Sequence, residues 1–214
     1  MTGVFITFEG TEGSGKSTHV RLLAERLQAA GHQVRGLREP GGTPIGEEIR
    51  HTLKHSQQNH AMTAEAELLL MNASRAQLVR EVIRPALAAG EIVVCDRFCD
   101  STVAYQGHGR GLDFDQVRHI VDFAVGDTRP ALTFLLTVPL SVSESRRATR
   151  QAREGNVRDR IEEADRAFFE RVEEGFRTIA KAEPERVTVV DSTQSQSVVA
   201  ADIWRRVEKL LAAS

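Results

Sequence analysis

The stretch GTEGSGKS, Gly10–Ser17, decides the fold of this 214-residue chain, because it matches the pattern G-x-x-x-x-G-K-[ST]. The apolar run Val4–Phe8 precedes it and predicts a short buried strand. Apolar residues recur at helical spacing from Lys16 to Ala30 and predict a helix directly after it. A strand, a glycine-rich loop and a helix in this order predict a nucleoside triphosphate site. The alternative is a glycine-rich turn that matches the pattern by chance.

The physical roles in this loop follow from its residue types. Glycines let the backbone wrap around a phosphate chain, and the amides at the helix start point towards it. Lys16 is expected to reach the β- and γ-phosphates, and the Ser17 hydroxyl to bind Mg²⁺. Glu12 repels phosphate unless it faces a metal-bound water or a sugar hydroxyl, which hints at an acceptor with a hydroxyl. The residues predicted to bind the triphosphate are Gly10, Thr11, Glu12, Gly13, Ser14, Gly15, Lys16, Ser17 and Thr18.

Composition limits the function more than it identifies it. Hydrophobic residues make up 41% and charged residues 27%, as in ordinary soluble domains. The formal net charge of -2 provides no field for gripping a nucleic acid polymer, so small phosphate-bearing partners are expected. Cys95 and Cys99 are expected to be reduced thiols rather than zinc ligands. The sequence has neither a long apolar run nor a signal-peptide pattern, which predicts a cytoplasmic protein that does not bind membranes.

Strands and helices alternate along the sequence. Apolar segments at 4–8, 33–38, 92–95, 132–138 and 187–190 predict five strands. Helices are predicted at 16–30, 45–54, 64–89, 114–125, 139–153, 162–182 and 196–213, with 55–63 as a polar connector. Pro85 is expected to bend or loosen the last turn of its helix. The alternation predicts a single doubly wound α/β domain, 1–214, with a parallel sheet covered on both faces.

Two charged residues end the third predicted strand. Asp96 at the tip of a buried strand is placed to bind Mg²⁺, so Ser17 and Asp96 are the predicted metal ligands. The alternative is an aspartate that caps the next turn. Arg97 would point its guanidinium into the same cleft, where it suits a second phosphate group.

An arginine-rich segment at about 146–160 is predicted to be a small lid. Spacings of three and four residues place 146, 150 and 153 on one helical face. An arginine that reaches the travelling phosphoryl is typically worth about 10³–10⁵ in rate. The alternative is a solvated basic surface. The arginines of this segment are Arg146, Arg147, Arg150, Arg153, Arg158 and Arg160.

Several stretches in this order resemble the thymidylate kinase family nearly from end to end. They are FEGTEG (8–13), REPGGT (38–43), ASRAQ (73–77), DRF (96–98), STVAYQG (101–107), DRIE (159–162) and DST (191–193). The resemblance implies the P-loop kinase fold, ATP and dTMP as substrates, Mg²⁺ and a homodimer. It also implies a bacterial arrangement, in which the loop carries an acidic residue and the lid carries the catalytic arginines. The predicted catalytic residues are Lys16, Arg97, Arg150 and Arg153.

The same resemblance implies roles in an acceptor pocket. It implies that Arg38 and Arg97 bind the dTMP phosphate and that Arg75 binds thymine. It implies that Glu12 faces the 3′-hydroxyl side of the sugar and that Tyr105 excludes a ribose hydroxyl. Thr102 and Gln106 are expected to line the pocket. Met71 stands where the family usually has a stacking Phe, and it can cover the base only by soft contact. A cis peptide bond is also expected at Glu39–Pro40.

Two other functions remain open on the sequence. The first is a kinase for another nucleoside monophosphate on the same fold. The second is a GTP-dependent switch, although neither the N/T-K-x-D nor the D-x-x-G segment of that class is present. A metal site at His51 and His55 is not expected, since two histidines alone do not hold zinc.

Overall fold

The computed structural model describes residues 3–154, 160–161 and 164–212, without the side chains of residues 150, 153 and 154. Its five strands are all parallel and lie in the order β2-β3-β1-β4-β5. Their bounds are Val4–Glu9 (β1), Val34–Arg38 (β2), Ile92–Asp96 (β3), Leu132–Thr137 (β4) and Val187–Asp191 (β5). The predicted five-stranded α/β fold is therefore confirmed.

The described helices connect these strands. They are α1 (Lys16–Ala29), α2 (Pro44–Lys54), α3 (Ala64–Leu78), α4 (Arg84–Ala88), α5 (Cys99–Thr102), α6 (Phe114–Val125), α7 (Leu140–Glu154), α8 (Arg166–Ala182) and α9 (Gln196–Ala212). Two π-helical segments, Val79–Ile83 and Val103–Gly109, follow α3 and α5 directly. A short 3₁₀ turn lies inside the predicted connector 55–63.

The sheet is buried on both faces, which explains why its central strands are continuous apolar runs. Successive residues of a strand point to opposite faces. Phe5 accordingly packs in a core with residues of α3 and α6, while Ile6 packs in a second core with residues of α1 and α9. Both side chains are almost completely buried. Because the strands are parallel, the carboxyl ends of β1, β2 and β3 lie at one edge of the sheet, where the loops gather.

The structure corrects the sequence prediction in three places. The helix predicted over 64–89 is divided by a π-helical segment, which lies just before Pro85 and confirms that this proline loosens the helix, because proline has no N–H to donate. The segment 99–109 is helical, although no helix was predicted there. The prediction failed because most of this segment is a π-helix, which does not follow the apolar period of an α-helix. The helix predicted over 162–182 begins at Arg166, where the Asp165 side chain caps it.

The predicted lid only partly coincides with described residues. Residues 146–154 continue α7, so the first part of the segment is the end of a helix. Residues 155–159 lie outside the described ranges. Within the described parts of the chain, no helix combines the length and the apolar composition needed to cross a bilayer.

Candidate active site

A cavity of about 1100 Å³ opens at the carboxyl ends of β1, β2 and β3. This is where ligands bind in open α/β sheets. The loop between β1 and α1 forms one wall, and residues of α3, α5 and the following π-helical segment form the opposite wall. The predicted phosphate-binding loop and the predicted acceptor pocket therefore share one cavity.

The loop after β1 adopts a conformation that only glycine tolerates well. Gly10, Gly13 and Gly15 have φ values of 132°, 75° and 95°. Lys16 is buried at the start of α1, and its Nζ donates to the carbonyl oxygens of Gly10 (3.0 Å) and Thr11 (2.7 Å). The ammonium is thus held by the loop that is predicted to surround the phosphates.

Burial, helped by the positive charge of Arg97, lowers the pKa of Lys16 to about 7. The carboxylates of Asp96 and Glu12 act in the opposite direction. A phosphate anion placed beside Lys16 would favour its charged form. Lys16 is therefore set to gain charge as its ligand arrives.

The two predicted metal ligands are in direct contact. Ser17 Oγ donates a hydrogen bond to Asp96 Oδ2 at 2.5 Å. A hydroxyl and a carboxylate beside a phosphate site are the hard oxygen donors that Mg²⁺ prefers, and Mg²⁺ keeps several waters. The described residues contain no cluster of three or more His, Cys, Asp or Glu that could enclose a metal by themselves. The donor set fits an ion that substrate phosphates help to hold.

Arg97 lies between the loop and the opposite wall of the cavity, which is formed by α3, α5 and the following π-helical segment and is called the acceptor wall below. It is a non-glycine residue with φ of 70°, a conformation that L-residues disfavour. Its Nη1 donates to the carbonyl oxygen of Gly10 (3.1 Å) and to Ser101 Oγ (3.0 Å), and its Nη2 to Tyr105 Oη (3.2 Å). This strained backbone conformation places a half-buried guanidinium beside the oxygen atom that Lys16 also contacts.

Arg38 also lines the cavity, as predicted, and is more exposed. Its Nη1 donates to the carbonyl oxygen of Pro40 at 2.9 Å, and its Nη2 to Glu47 at 2.8 Å. Arg50 of α2 donates to the same carbonyl and lines the same wall, although the sequence analysis did not single it out. The sequence indication for Arg50 is a positively charged residue one turn before the end of an amphipathic helix. The Glu39–Pro40 bond is cis, as expected.

Arg75 is buried and fully hydrogen-bonded by the protein. Its five N–H groups donate to Glu39, twice, and once each to Asn72 Oδ1, Thr102 Oγ1 and the carbonyl oxygen of Phe98. Burial raises the pKa of Glu39, and the charge of Arg75 opposes that rise. Arg75 therefore joins α3 and α5 to the segments that follow β2 and β3, and a contact with thymine would require it to exchange one of these partners.

The other predicted acceptor residues all line the cavity: Met71, Thr102, Tyr105 and Gln106. Tyr105 packs edge-on against Phe168 and Phe176, with ring centroids 6.0 and 6.1 Å apart. Gln106 Nε2 donates to Glu67 Oε1 at 2.8 Å. These side chains are held in place by the protein itself, so the wall is preformed.

The lid arginines divide into three groups. Arg146 and Arg147 line the cavity, and Arg146 donates to the carbonyl oxygens of Gly13 and Ser192. Arg160 is bound elsewhere, to Glu67 and to the carbonyl oxygen of Met62. The predicted catalytic side chains of Arg150 and Arg153, and all of Arg158, lie outside the described part of the chain.

Glu9, at the end of β1, was missed as a site residue by the sequence analysis. Its carboxylate accepts from the backbone N–H groups of Phe98 (2.7 Å) and Ser101 (3.2 Å) and from Ser101 Oγ (2.6 Å). It thereby holds the turn that carries Arg97. Burial, helped by the charge of Asp100, raises the pKa of Glu9 to about 7. The only sequence signal was an acidic residue at the tip of a buried strand.

We expect the Glu9→Gln variant to remove a pH dependence of stability. The raised pKa means that Glu9 stabilises the fold below pH 4.5 and loses that contribution as the pH rises through 7. Urea unfolding of both proteins from pH 4.5 to 7.5 should show the wild type losing about 3 kcal/mol relative to the variant. A difference that is constant with pH would contradict the assignment.

The fold and the site together define a class: a P-loop enzyme in which the glycine-rich loop and a second group of arginines line one cavity. A family model described as thymidylate kinase matches residues 8–203. The chain belongs to the thymidylate kinase family. It is an ATP-dependent nucleoside monophosphate kinase.

Individual relatives agree with this family over almost the whole chain. A thymidylate kinase of Pseudomonas syringae pv. tomato is 48% identical over 211 residues, covering 99% of this chain and 98% of the relative. A thymidylate kinase of Citrifermentans bemidjiense is 48% identical over 213 residues, covering 97% of this chain and 94% of the relative. The crystal structure of thymidylate kinase from Ehrlichia chaffeensis superposes with a TM-score of 0.77 at 33% identity, covering 97% of this chain and 99% of that one.

Proposed function

We propose that this enzyme transfers the γ-phosphoryl group of ATP to dTMP, giving ADP and dTDP for dTTP synthesis. One observation carries the proposal: Lys16 Nζ and Arg97 Nη1 donate to the same carbonyl oxygen, that of Gly10, at 3.0 and 3.1 Å. A cation of the donor site and a cation of the acceptor site thus meet at one atom. Two phosphates held by these cations lie next to each other, as direct transfer requires.

The chemistry needs alignment and charge neutralisation rather than a strong base. The acceptor oxygen of dTMP is already an anion, so no residue has to remove a proton from it. Lys16 stabilises charge on the donor phosphates. Mg²⁺, held by Ser17 and Asp96, would supply further neutralisation of these phosphates. Arg146 and Arg147 line the donor side, and we assign contacts with the travelling phosphoryl to Arg150 and Arg153.

The acceptor is placed by the opposite wall. Arg97 and Arg38 are proposed to hold the dTMP phosphate, and Met71, Gln106 and Arg75 the base, with Thr102 lining the pocket. Glu12 is proposed to face the 3′-hydroxyl side of the sugar. Binding of the base by Arg75 would replace one of its protein acceptors, since all of its donors are in use.

We propose that the enzyme is a homodimer that works in the cytoplasm without a nucleic acid polymer or a membrane as partner. Leu69 of α3 and Phe123 of α6 support a dimer, since both are large apolar side chains with exposed fractions of 56% and 82%. The free thiols of Cys95 and Cys99 suit a reducing compartment. Sedimentation of the purified protein decides the oligomeric state.

A coupled assay of ADP release tests the reaction. The enzyme is given ATP, Mg²⁺ and, in turn, dTMP, dUMP, UMP, CMP, AMP or GMP. We expect dTMP to be used fastest and EDTA to stop the reaction. Equal use of dTMP and UMP would favour a less selective kinase on this fold, and nucleotide-dependent partner binding without ADP release would favour a switch protein.

Replacing Tyr105 tests how deoxyribose is read. We expect Tyr105→Ala to lower the ratio of kcat/KM for dTMP to that for its ribose counterpart, because the ring fills the volume that a 2′-hydroxyl would need. The structure adds a complication, since Tyr105 is also packed between two phenylalanines and its loss leaves a cavity. Phe176→Ala, which opens the same packing without touching the substrate cavity, is the control. An equal fall for both substrates would make Tyr105 a packing residue only.

A further inference from the structure

Glu67, in the first turn of α3, is a completely buried carboxylate to which the proposed reaction gives no role. Its Oε1 accepts from Gln106 Nε2 (2.8 Å) and from Arg110 Nε (3.2 Å). Its Oε2 accepts from Arg110 Nη2 (3.0 Å) and from Arg160 Nη2. A carboxylate held between two guanidinium groups is a pure acceptor, so every neighbour has to turn a donor towards it.

This carboxylate fixes the orientation of the Gln106 amide. A glutamine side chain ends in a donor and an acceptor of nearly the same shape, and only its partners decide which way it points. If the Gln106 amide were reversed, its oxygen would face Glu67 Oε1, and two buried acceptors would be left unpaired. Gln106 is almost completely buried, so water does not compensate that loss. Nε2 is therefore directed to Glu67.

The opposite end of the same amide is available to a ligand. Gln106 lines the cavity, and with Nε2 bound to Glu67 its Oε1 is the polar atom of the amide that remains for a bound molecule. Oε1 receives no hydrogen bond from the residues that the structure describes. At Gln106 the acceptor wall thus presents an acceptor to the edge of a base.

The bases of the pyrimidine nucleotides differ in what they offer to such an acceptor. Thymine and uracil are imides, and the ring N–H at N3 is the donor on their pairing edge. Cytosine has a lone pair at N3 instead. A site built to accept a hydrogen bond rejects a base that brings a second acceptor to the same place, because both groups then stay unpaired.

We propose that Glu67 is a positioning residue for base selection, which holds the amide of Gln106 so that Oε1 accepts from the N3–H of an imide base and opposes the N3 lone pair of cytosine. The inference rests on the proposed function and names the class of base that the acceptor pocket takes. It assigns to Glu67 no contact with the substrate, since Glu67 acts through Gln106.

Steady-state kinetics of Glu67→Gln with three monophosphates test the proposal. A glutamine at 67 can donate as well as accept, so the amide of Gln106 loses its fixed direction. We expect the ratio of kcat/KM for dTMP to that for dCMP to fall by about tenfold. The ratio for dTMP to dUMP should stay as in the wild type, because both bases carry N3–H. A general loss of structure would lower all three substrates alike.

Arg110→Gln is the matched control, because it disturbs the same cluster and leaves the bond from Gln106 to Glu67 in place. The Arg110 guanidinium also lies over the ring of Phe168, 4.6 Å from the centroid, so we expect this variant to be less stable. Its ratio for dTMP to dCMP should nevertheless match the wild type. The proposal is overturned if Glu67→Gln keeps the wild-type ratio, or if Arg110→Gln changes the ratio as much.

Glu67→Gln leaves two partly buried guanidinium groups without their carboxylate and can therefore fail to fold. In that case the double variant Glu67→Gln/Arg110→Gln, which loses one positive charge together with the negative one, is compared with Arg110→Gln alone. The same tenfold fall in the ratio for dTMP to dCMP is expected between these two proteins. An unchanged ratio would overturn the proposal.

Calorimetric binding of dTMP, dUMP and dCMP without ATP separates this inference from the proposed function, because it needs no turnover. We expect the wild type to bind dCMP at least about tenfold more weakly than dTMP, and the gap to narrow in Glu67→Gln. If the gap narrows but wild-type enzyme does not phosphorylate dTMP, the proposed function fails and the role of Glu67 stands. If dTMP is phosphorylated and the gap is the same in both proteins, only the role of Glu67 fails.

Discussion

Lys16→Ala should lower kcat by about a thousandfold or more, since a preorganised cation at the developing charge is lost. The substitution removes the ammonium that donates to the carbonyl oxygens of Gly10 and Thr11. The apolar residues of β1 and α1 that pack in the core stay unchanged. The midpoint of thermal unfolding should therefore move by no more than about 5 °C.

The measurement is ADP release at saturating ATP and dTMP, with circular dichroism to verify the fold. Lys181→Ala, an exposed lysine on α8, is the control for loss of a positive charge. Wild-type turnover in Lys16→Ala would remove the loop from the mechanism. Loss of the folded state in this variant would instead show that Lys16 is needed to hold the loop together.

Replacement of Arg97 should give the second large effect. The unusual backbone conformation of this residue allows two different substitutions to be distinguished by their stability. Both Arg97→Ala and Arg97→Gly should lower kcat/KM for dTMP by about two to three orders of magnitude, because the guanidinium that we propose to lie between the two phosphates is lost. Their stabilities should differ. At φ of 70°, glycine is unstrained while alanine is destabilised by about 1 kcal/mol.

Thermal unfolding of the two variants should show Arg97→Gly melting above Arg97→Ala while both are inactive. Arg118→Ala, an exposed arginine on α6, is the control and should match the wild type in both assays. The reverse order of melting would mean that Arg97 does not adopt the left-handed conformation. Retained affinity for dTMP would move the acceptor phosphate away from Arg97.

The strands and most helices could be predicted because their signals are local. Mostly apolar runs mark β1, β3, β4 and β5, and Thr43, Thr63 and Asp113 cap α2, α3 and α6. The pair Ser17 and Asp96 could also be predicted, since the tip of β3 and the start of α1 meet at the same sheet edge.

The buried acidic partners could not be predicted from the pattern. Glu9, Glu39 and Glu67 are all almost completely buried, and each is stabilised by donors 36 or more residues away in the sequence. When only neighbouring residues in the sequence are considered, a carboxylate is predicted to be exposed. Its burial depends on partners that only the tertiary fold brings near. For the same reason, the sequence placed Arg160 with the other lid cations, whereas the fold directs it to Glu67.

The π-helical segment Val103–Gly109 also determines how the acceptor pocket can change. Within it, the N–H of Arg110 donates to the carbonyl oxygen of Tyr105, five residues earlier, so this turn contains one residue more than an α-helical turn. Deleting one residue here would restore α-helical spacing and rotate the side chains beyond it by about 100°. Tyr105 and Gln106 could then no longer both face the cavity. The proposed roles of Tyr105 and Gln106 thus depend on the number of residues in this segment as well as on which residues they are.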